Sequence, residues 1–568
     1  KAKIPESVLK GLFEIGAFGM KIPKEYGGLG FSYTNYGRVL TLMASWSNIL
    51  ALTVAVPQSI GIAMPVLLFG NEEQKKKYLP RVAREEISAF ALTEPLTGSD
   101  AANIRTEAVL DRTGTYFMVN GEKLWCTNGS IAQVVTLIAR VPAKRIDRDG
   151  TPVWVAVPDG EAADDRVLTT FILEMNTPGV TVRQRCQFEG CRGIENAYMT
   201  FTNVRVPVEH VIGEIGKGLK YALTILNVGR AISIPAICLG MAKQAWQATL
   251  DRANTRVTFN KPLAERQTQR MRIAHMAADL FAMEALSYLV WRLADHKQYD
   301  IRIEAAIAKI FCSEQAIRFL KDAQIIFGGM GYETADSKRA RGEPGFPIEQ
   351  LVRDAEMYRI GEGATDVLRP FVAREGLSLH LDRAQRYVDT DIGAGKRLWE
   401  LIKLIRFYVP WYIAQWMPKA LPRREQTQHP LVRTMLVYAE QASRRLARAI
   451  AYAMALHREA LRDDQGRQNR IESVGEGILT IAASAFYAES RDRTDGEGRS
   501  WELANEVFRQ ARKRIDRQTR ELVSNDDAVP ATLGAQALRG HFASLSNGII
   551  QRGLDEYTGA EHKKRSQS

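Results

Sequence analysis

Asn120-Gly121-Glu122-Lys123-Leu124-Trp125-Cys126-Thr127-Asn128-Gly129 sets a short run of strand-compatible residues between two Asn-Gly pairs. Such pairs mark tight turns, because both residues tolerate positive φ. Working outward, similar short runs recur at Tyr116–Val119, Val134–Ala139, Val153–Val157, Thr169–Leu173 and Ala197–Phe201. Asp149-Gly150 and Pro178-Gly179 supply further turn signals. About 120 residues of this texture predict a compact β-domain of barrel or sandwich type.

On both sides the texture is helical. Residues 1–86 read as an N-terminal helical domain, in which Glu72 and Lys76 pair at i,i+4. No charge occurs from Val39 to Asn71, but Pro57, Gly61 and Pro65 interrupt that stretch, which predicts two buried helices broken near Pro57 instead of a membrane span. The β-domain is set at 87–212. Long helices are expected over Leu219–Thr255, Gln267–Asp295 and Ile301–Phe327, then a glycine turn at 328–331 and a charged loop at Ser337–Gly345. Further helices run from Pro347 to near Gly361 and from near Thr365. These form a helical domain over 213–378. After about Ser378 arginine and alanine rise, strand signals vanish, and residues 379–568 read as an extra helical block. Its helices are expected at Lys396–Val409, Pro430–Glu459, Ile471–Arg491 and Trp501–Leu522, with a basic tail at His562–Ser568. The fold class is therefore α+β and multidomain: helical, β, helical, helical.

The 568 residues suggest three to four domains at about 150 residues each. A hydrophobic share of 45% and a charged share of 25% are globular averages and exclude wholesale disorder. Seventy-seven basic against 65 acidic residues leave +12, which suits an acidic ligand or surface without choosing one. Nothing beyond that charge points to nucleic acid. The 5 cysteines form no CxxC pair, which favours a reducing compartment. The chain opens on Lys1 without a signal-peptide pattern and reads as a cut segment. Gly213-x-x-Gly216-Lys217-Gly218 is too short for a Walker loop, and Gly328–Gly331 lacks the Rossmann spacing. No HExxH, zinc spacing or GxSxG elbow occurs, so no metal site is expected.

Four segments remain. They are Phe90–Asp100 (FALTEPLTGSD), Asn120–Gly129, Arg256-Val257-Thr258-Phe259 with Gln267, and Gln324–Gly331 (QIIFGGMG) followed by Ile360-Gly361-Glu362-Gly363-Ala364-Thr365-Asp366. Each alone is weak. Together, in this order, they resemble the acyl-CoA dehydrogenase family from about Leu12 to Leu377. Gln58-Ser59-Ile60-Gly61, Ala101–Thr106, Leu226–Arg230, Ile303–Phe311 and the extra helical block resemble its very long-chain type.

The resemblance implies FAD-dependent α,β-dehydrogenation of long or very long fatty acyl-CoA to trans-2-enoyl-CoA, with electrons passing to an electron-transfer flavoprotein. It implies a homodimer on the cytoplasmic or mitochondrial-matrix side, soluble or peripheral to the membrane. Glu362 matches the catalytic base. An α C–H beside a thioester is a poor acid and needs a positioned carboxylate. Burial raises a carboxyl toward working pH, and flanking Gly361 and Gly363 permit unusual dihedrals and close approach. Phe90, Leu92, Thr93, Gly98, Ser99, Trp125, Cys126, Thr127, Ala364, Thr365 and Asp366 match flavin-side positions. Arg256 and Gln324 match positions that hold the FAD diphosphate and adenosine end, partly from a neighbouring subunit, and Phe259, Gln267 and Gly328 match further cofactor positions. Ser99, Asn227, Arg230, Gly361 and Gly363 match substrate positions. An acyl-CoA oxidase and a nonenzymatic scaffold keeping the fold are the alternatives.

Two departures stand out. Ala364 replaces the usual threonine beside the flavin, and Gly361 replaces an aromatic ring, which widens the thioester region. Gly229 occupies the place where some relatives carry the base. Gly61 and Ala63 are expected to leave depth for a long chain. In the last block Leu398, Leu401, Ile402, Ile405 and Val409 share one helical face, with Trp411, Tyr412, Trp416 and basic Lys419, Arg423 and Arg424 following. The stretch 396–424 therefore suits either a membrane interface or packing against the rest of the molecule.

Overall fold

The structure is a computed structural model that describes residues 3–296, 299–388, 393–417, 429–457, 461, 463–495 and 499–548. The N-terminal helices are α1 (Glu6–Glu14), α2 (Tyr33–Trp46), α3 (Asn48–Ser59), α4 (Ala63–Phe69) and α5 (Glu72–Arg84). Ser32 caps α2 and Asn71 with Gln74 forms a capping box on α5, each satisfying backbone N–H groups that a helix start leaves bare. Glu72 pairs with Lys75 at 2.9 Å, one place before the expected Lys76. The uncharged stretch is two helices, as expected. Pro57 lies inside α3, however, and the break comes at 60–62. The apolar segments Asn48–Phe69, Gly218–Thr255 and Gln267–Asp295 are long enough to cross a membrane, yet they are largely buried inside the protein.

The middle block contains β1 (Ser88–Ala91), β2 (Glu107–Leu110), β3 (Tyr116–Thr127), β4 (Val134–Arg148), β5 (Thr151–Ala156), β6 (Asp165–Glu174), β7 (Val180–Arg185) and β8 (Asn196–Pro207). These strands form one sheet in the order β1-β4-β2-β3-β8-β7, with β5 and β6 also paired to β4. Asn120-Gly121 is not a turn. It is an irregularity inside the unbroken β3, where the register against β8 slips. Gly121 has φ 147°, and a Cβ there would meet Thr106 at 2.6 Å, so the glycine serves close approach of backbone. Asp149-Gly150, by contrast, is the hairpin turn between β4 and β5.

Next come α6 (Gly218–Val228) and α7 (Ile234–Thr255), joined by a π-turn over Gly229–Ser233. A small hairpin of β9 (Val257–Thr258) and β10 (Lys261–Pro262) leads to α8 (Gln267–Asp295) and α9 (Arg302–Phe327). The long helices pack closely: a Cβ on Gly240 of α7 would sit 2.5 Å from the Thr41 carbonyl of α2. The expected loop at 337–345 begins as a helix. After α10 (Gly329–Tyr332), α11 (Ala335–Ala340) buries Lys338, whose Nζ donates to the Met330 and Phe346 carbonyls. Then follow α12 (Ile348–Ile360) and α13 (Thr365–Val388). α13 passes unbroken through the expected boundary near Ser378.

The last block holds α14 (Ala394–Ala414), α15 (Pro430–His457), α16 (Gln465–Asp495), α17 (Ser500–Val523) and α18 (Ala528–Leu538), the last not foreseen. One core cluster runs from the N-terminal helices through α7–α9 to Val474, Ile481 and Phe508, so the extra helices pack directly on the preceding helical block. Lys419, Arg423, Arg424 and the tail at His562–Ser568 lie outside the described residues.

Candidate active site

The corner between α12 and α13 carries Glu362. Gly361 is ordinary extended backbone, with φ −66° and ψ 147°. The strain expected of Gly361 sits instead on Glu362 itself, at φ 57°, and on Gly363, at φ 101°. A non-glycine residue in that region costs about 1–3 kcal/mol and persists only where its surroundings impose it. Two cations impose it here. Arg230 Nε donates to the Glu362 carbonyl at 2.8 Å. Lys309 Nζ donates to the carbonyls of Gly363 at 2.7 Å and Arg359 at 3.0 Å.

The carboxylate is treated differently from its backbone. Glu362 Oε2 is buried and has no hydrogen-bond partner among the described residues. It lies against the π-turn, where a Cβ on Gly229 would fall 2.0 Å from it. Burial pushes the Glu362 carboxyl up to about 7, against the opposing pull of Arg230, Lys309 and Lys21. Burial in turn draws Lys309 down to about 8. A carboxylate poised near neutrality, with one oxygen uncommitted, is built to take a proton.

A second group of the expected residues lies on β1, β3 and the segment after β1. Phe90 is buried, while Leu92 and Thr93 are half-buried, and the Thr93 carbonyl accepts from Leu124 N at 2.8 Å. Trp125 has φ 57° and is 55% exposed, so the indole is not a core residue. Cys126 is buried, and its thiol donates to the Phe90 carbonyl. Thr127 Oγ1 accepts from Asn196 Nδ2 at 3.1 Å, while Asn196 Oδ1 is buried without a partner. Gly98 and Ser99 are exposed, and a Cβ on Gly98 would meet nothing. An exposed indole beside half-buried Leu92 and Thr93 and an orphaned amide oxygen fit a flat, polar-edged ring system such as a flavin.

Two flavin-side residues sit otherwise than expected. The Thr365 hydroxyl is buried and donates to Glu314 at 2.9 Å, so it is committed within the α9–α13 packing. Asp366 is exposed in the first turn of α13, one residue beyond Thr365. Ala364 is half-buried at the corner. Among the substrate-side residues, Asn227 Oδ1 accepts from Arg230 Nη1 at 3.4 Å, which ties both to the corner. The wall helix does not supply depth in the expected way. The space over Gly61 is filled by Ser88 Oγ and the Pro57 backbone, at 2.5 and 2.8 Å from a built Cβ. Ala63 is buried in a separate cluster with Tyr78 and Val134.

The remaining residues gather at the other end of the bundle. Arg256 closes α7, Phe259 is 93% exposed on the hairpin, Gln267 starts α8, and Gln324 and Gly328 end α9. Gln324 Nε2 donates to the Gly331 carbonyl at 3.0 Å. At about 1.5 Å per residue, the helical run from Arg230 to Arg256 is roughly 39 Å long. Within one chain Arg256 therefore lies far along the bundle from Arg230 and the Glu362 corner.

Three lysines were not assigned roles from sequence. Lys309 pins the corner. Lys123 is fully buried and ion-paired to Glu94 at 2.7 Å, which fixes the loop after Leu92. Lys21 is buried near Glu362. Their signal was present: a charge set in an apolar run, as in Ile307-Ala308-Lys309-Ile310 and Gly19-Met20-Lys21-Ile22.

The N-terminal, middle and C-terminal domains of the acyl-CoA dehydrogenase family match residues 1–86, 89–204 and 216–377. A probable acyl-CoA dehydrogenase of Mycobacterium tuberculosis, FadE10, is 37% identical over 97% of the chain and 82% of its own length. The human mitochondrial very long-chain specific acyl-CoA dehydrogenase is 36% identical, covering 66% of the chain and 53% of that protein. A Bacillus anthracis acyl-CoA dehydrogenase solved with FAD superposes with a TM-score of 0.72 at 26% identity, covering 93% of this chain and 85% of that one.

Proposed function

The chain belongs to the acyl-CoA dehydrogenase family, an enzyme class that works with FAD, and we propose that it desaturates a long-chain acyl-CoA between C2 and C3. The carrying observation is the uncommitted Glu362 oxygen, buried at a corner whose backbone two cations hold in place. Glu362 takes the pro-reactive α-proton into its free Oε2. Bound FAD supplies the acceptor for the β-hydride. Arg230 and Lys309 keep the corner in its left-handed conformation, and their charge holds Glu362 below the value burial alone would set. Glycine at 229 leaves the Glu362 carboxylate the space it occupies against the π-turn.

Long-chain selectivity is supported by the likeness to very long-chain enzymes and by the extra helices, not by the Gly61 wall. The distance between the two cofactor-side sets supports a homodimer, in which Arg256 and Gln324 of one copy serve the site of another. An electron-transfer flavoprotein is the proposed acceptor. Anaerobic addition of palmitoyl-CoA to the yellow protein should bleach the flavin band, and bleaching should persist until an acceptor is added. Absence of bleaching by any acyl length overturns the reading, and rapid recovery in air turns it to the oxidase.

The last block supports peripheral membrane binding. Leu398, Ile402, Ile405, Val409 and Ile413 are all exposed along α14, as is Trp416 just beyond it, while Leu401 is half-buried. The inner side packs on α13 through Tyr408 and His380, 3.0 Å apart. Such a bare apolar stripe suits the acyl boundary of a bilayer. Replacing Ile402 and Ile405 by glutamate should abolish flotation with anionic liposomes, and unchanged flotation would place binding elsewhere.

A further inference from the structure

Beside the base lies a polar cluster that a plain hydrocarbon chain does not explain. Lys21, Gln58, Ser59, Tyr36 and Ser233 are all buried, with Lys21 only 7% exposed and Gln58 fully buried. The Gln58 carbonyl is used, accepting from Lys21 N at 2.9 Å. Among the described residues its amide Nε2 has no acceptor, and neither has Lys21 Nζ. The ammonium sits 4.9 Å from the Tyr36 ring centre and 5.4 Å from that of Tyr33, which attract its charge but give its N–H groups no oxygen. The Tyr36 hydroxyl stands 3.5 Å from both Ser59 Oγ and Ser233 Oγ, which lie 2.7 Å from each other. Ser233 ends the π-turn that begins at Gly229, and Gly229 faces the Glu362 carboxylate. The cluster thus reaches the Glu362 carboxylate through the turn over Gly229–Ser233.

Each buried donor left without an acceptor costs about 1–3 kcal/mol. Two of them joined through one side chain, beside a reaction centre, constitute a demand for an acceptor from outside the chain. We propose that Lys21 and Gln58 bind an oxygen acceptor carried on the acyl group, so that the preferred substrate is an acyl-CoA bearing a carboxylate or hydroxyl oxygen a few carbons beyond the thioester. This rests on the acyl-CoA reading of the site and narrows its substrate class. A carboxylate is the strongest complement, because it pairs with an ammonium as well as accepting its hydrogen bonds. In the unliganded protein burial draws Lys21 down to about 7, and an anion docked against it restores the full charge.

The test is calorimetric binding of unsaturated product thioesters to the full flavin-loaded protein, which avoids turnover. The probes are trans-2-hexenoyl-CoA and trans-2-octenoyl-CoA, their ω-carboxy counterparts, and the ω-hydroxy six-carbon ester. The expected result is binding of a carboxy or hydroxy ester at least about tenfold tighter than the unsubstituted ester of the same length. The carboxy and hydroxy arms decide which oxygen is preferred. In Lys21→Met, and to a smaller degree in Gln58→Leu, that ratio should collapse toward unity. The ratio in the unaltered protein stands even if a variant fails to fold. Equal or tighter binding of the plain esters, or a preference that survives both substitutions, overturns the proposal. If no CoA ester of any kind binds or bleaches the flavin, the acyl-CoA reading itself falls and takes this one with it.

Discussion

Glu94 and Glu362 both hold a carboxylate away from water, the first as a fully buried residue and the second as a half-buried one with a buried Oε2, and they behave in opposite ways. Glu94 is 4% exposed and fully partnered: Lys123 Nζ and the backbone N–H groups of Arg105 and Thr106 all reach it. Burial raises its carboxyl, but Lys123 and those hydrogen bonds outweigh burial and hold it below the usual carboxylate range. Glu362 has three cations nearby, yet none of them reaches Oε2, so burial wins and the carboxyl rises to about 7. Burial alone therefore does not make a base. What makes one is withholding donors from the carboxylate while spending the surrounding cations on backbone carbonyls.

The largest effect is expected from Glu362→Gln. Flavin reduction should fall at least about 100-fold. Its stability effect should have the opposite sign. A carboxyl raised to about 7 makes the native state bind more protons than the unfolded one between its unfolded value near 4.5 and 7, so the protein loses stability as pH rises across that window. The amide escapes that loss, and the variant should melt higher than the parent at pH 8. A lower melting point would break the comparison.

Lys123→Met attacks the partnered glutamate and should cost about 3–5 kcal/mol in denaturant unfolding, because it leaves Glu94 buried and unpaired. The loss should be greatest above the unfolded carboxyl value and shrink in acid as Glu94 protonates. A cost below about 1 kcal/mol would mean that the pair contributes little. Gly229→Ala should lower kcat/KM by about tenfold or more, since its methyl meets the Glu362 carboxylate. Unchanged kinetics would show that the carboxylate moves freely. The smallest effect is a shift. Lys309→Met removes a charge that lowers Glu362, so the rising limb of the kcat/KM–pH profile should move up from about 7.

Much of this was legible before any coordinates. Glu362, Trp125, Thr93 and Arg230 stand in recognisable strings, and the helix limits over 267–295 follow from apolar spacing alone. The failures have physical reasons. Asn-Gly serves both a turn and a strand irregularity, and only the Thr106 contact decides between them at Gly121. A glycine such as Gly61 reads as empty space, whereas its volume is occupied by a neighbouring strand. The strain was assigned to a glycine because that residue tolerates it, but the fold imposes it on Glu362. Lys21 and Lys309 were visible as misplaced charges, yet their partners lie far away in sequence.

α13 starts three residues after Glu362, the proposed base, and continues to Val388, burying Ala373 and Leu377 against Ala449, Ile471 and Leu522 of the appended helices. The two parts thus share a single stiff spar. Trimming the molecule at the compositional seam would saw through that spar and leave its greasy flank bare. The appended helices are a splint for the reaction centre as much as an attachment, and shortened versions should be judged first by whether they still hold their yellow colour.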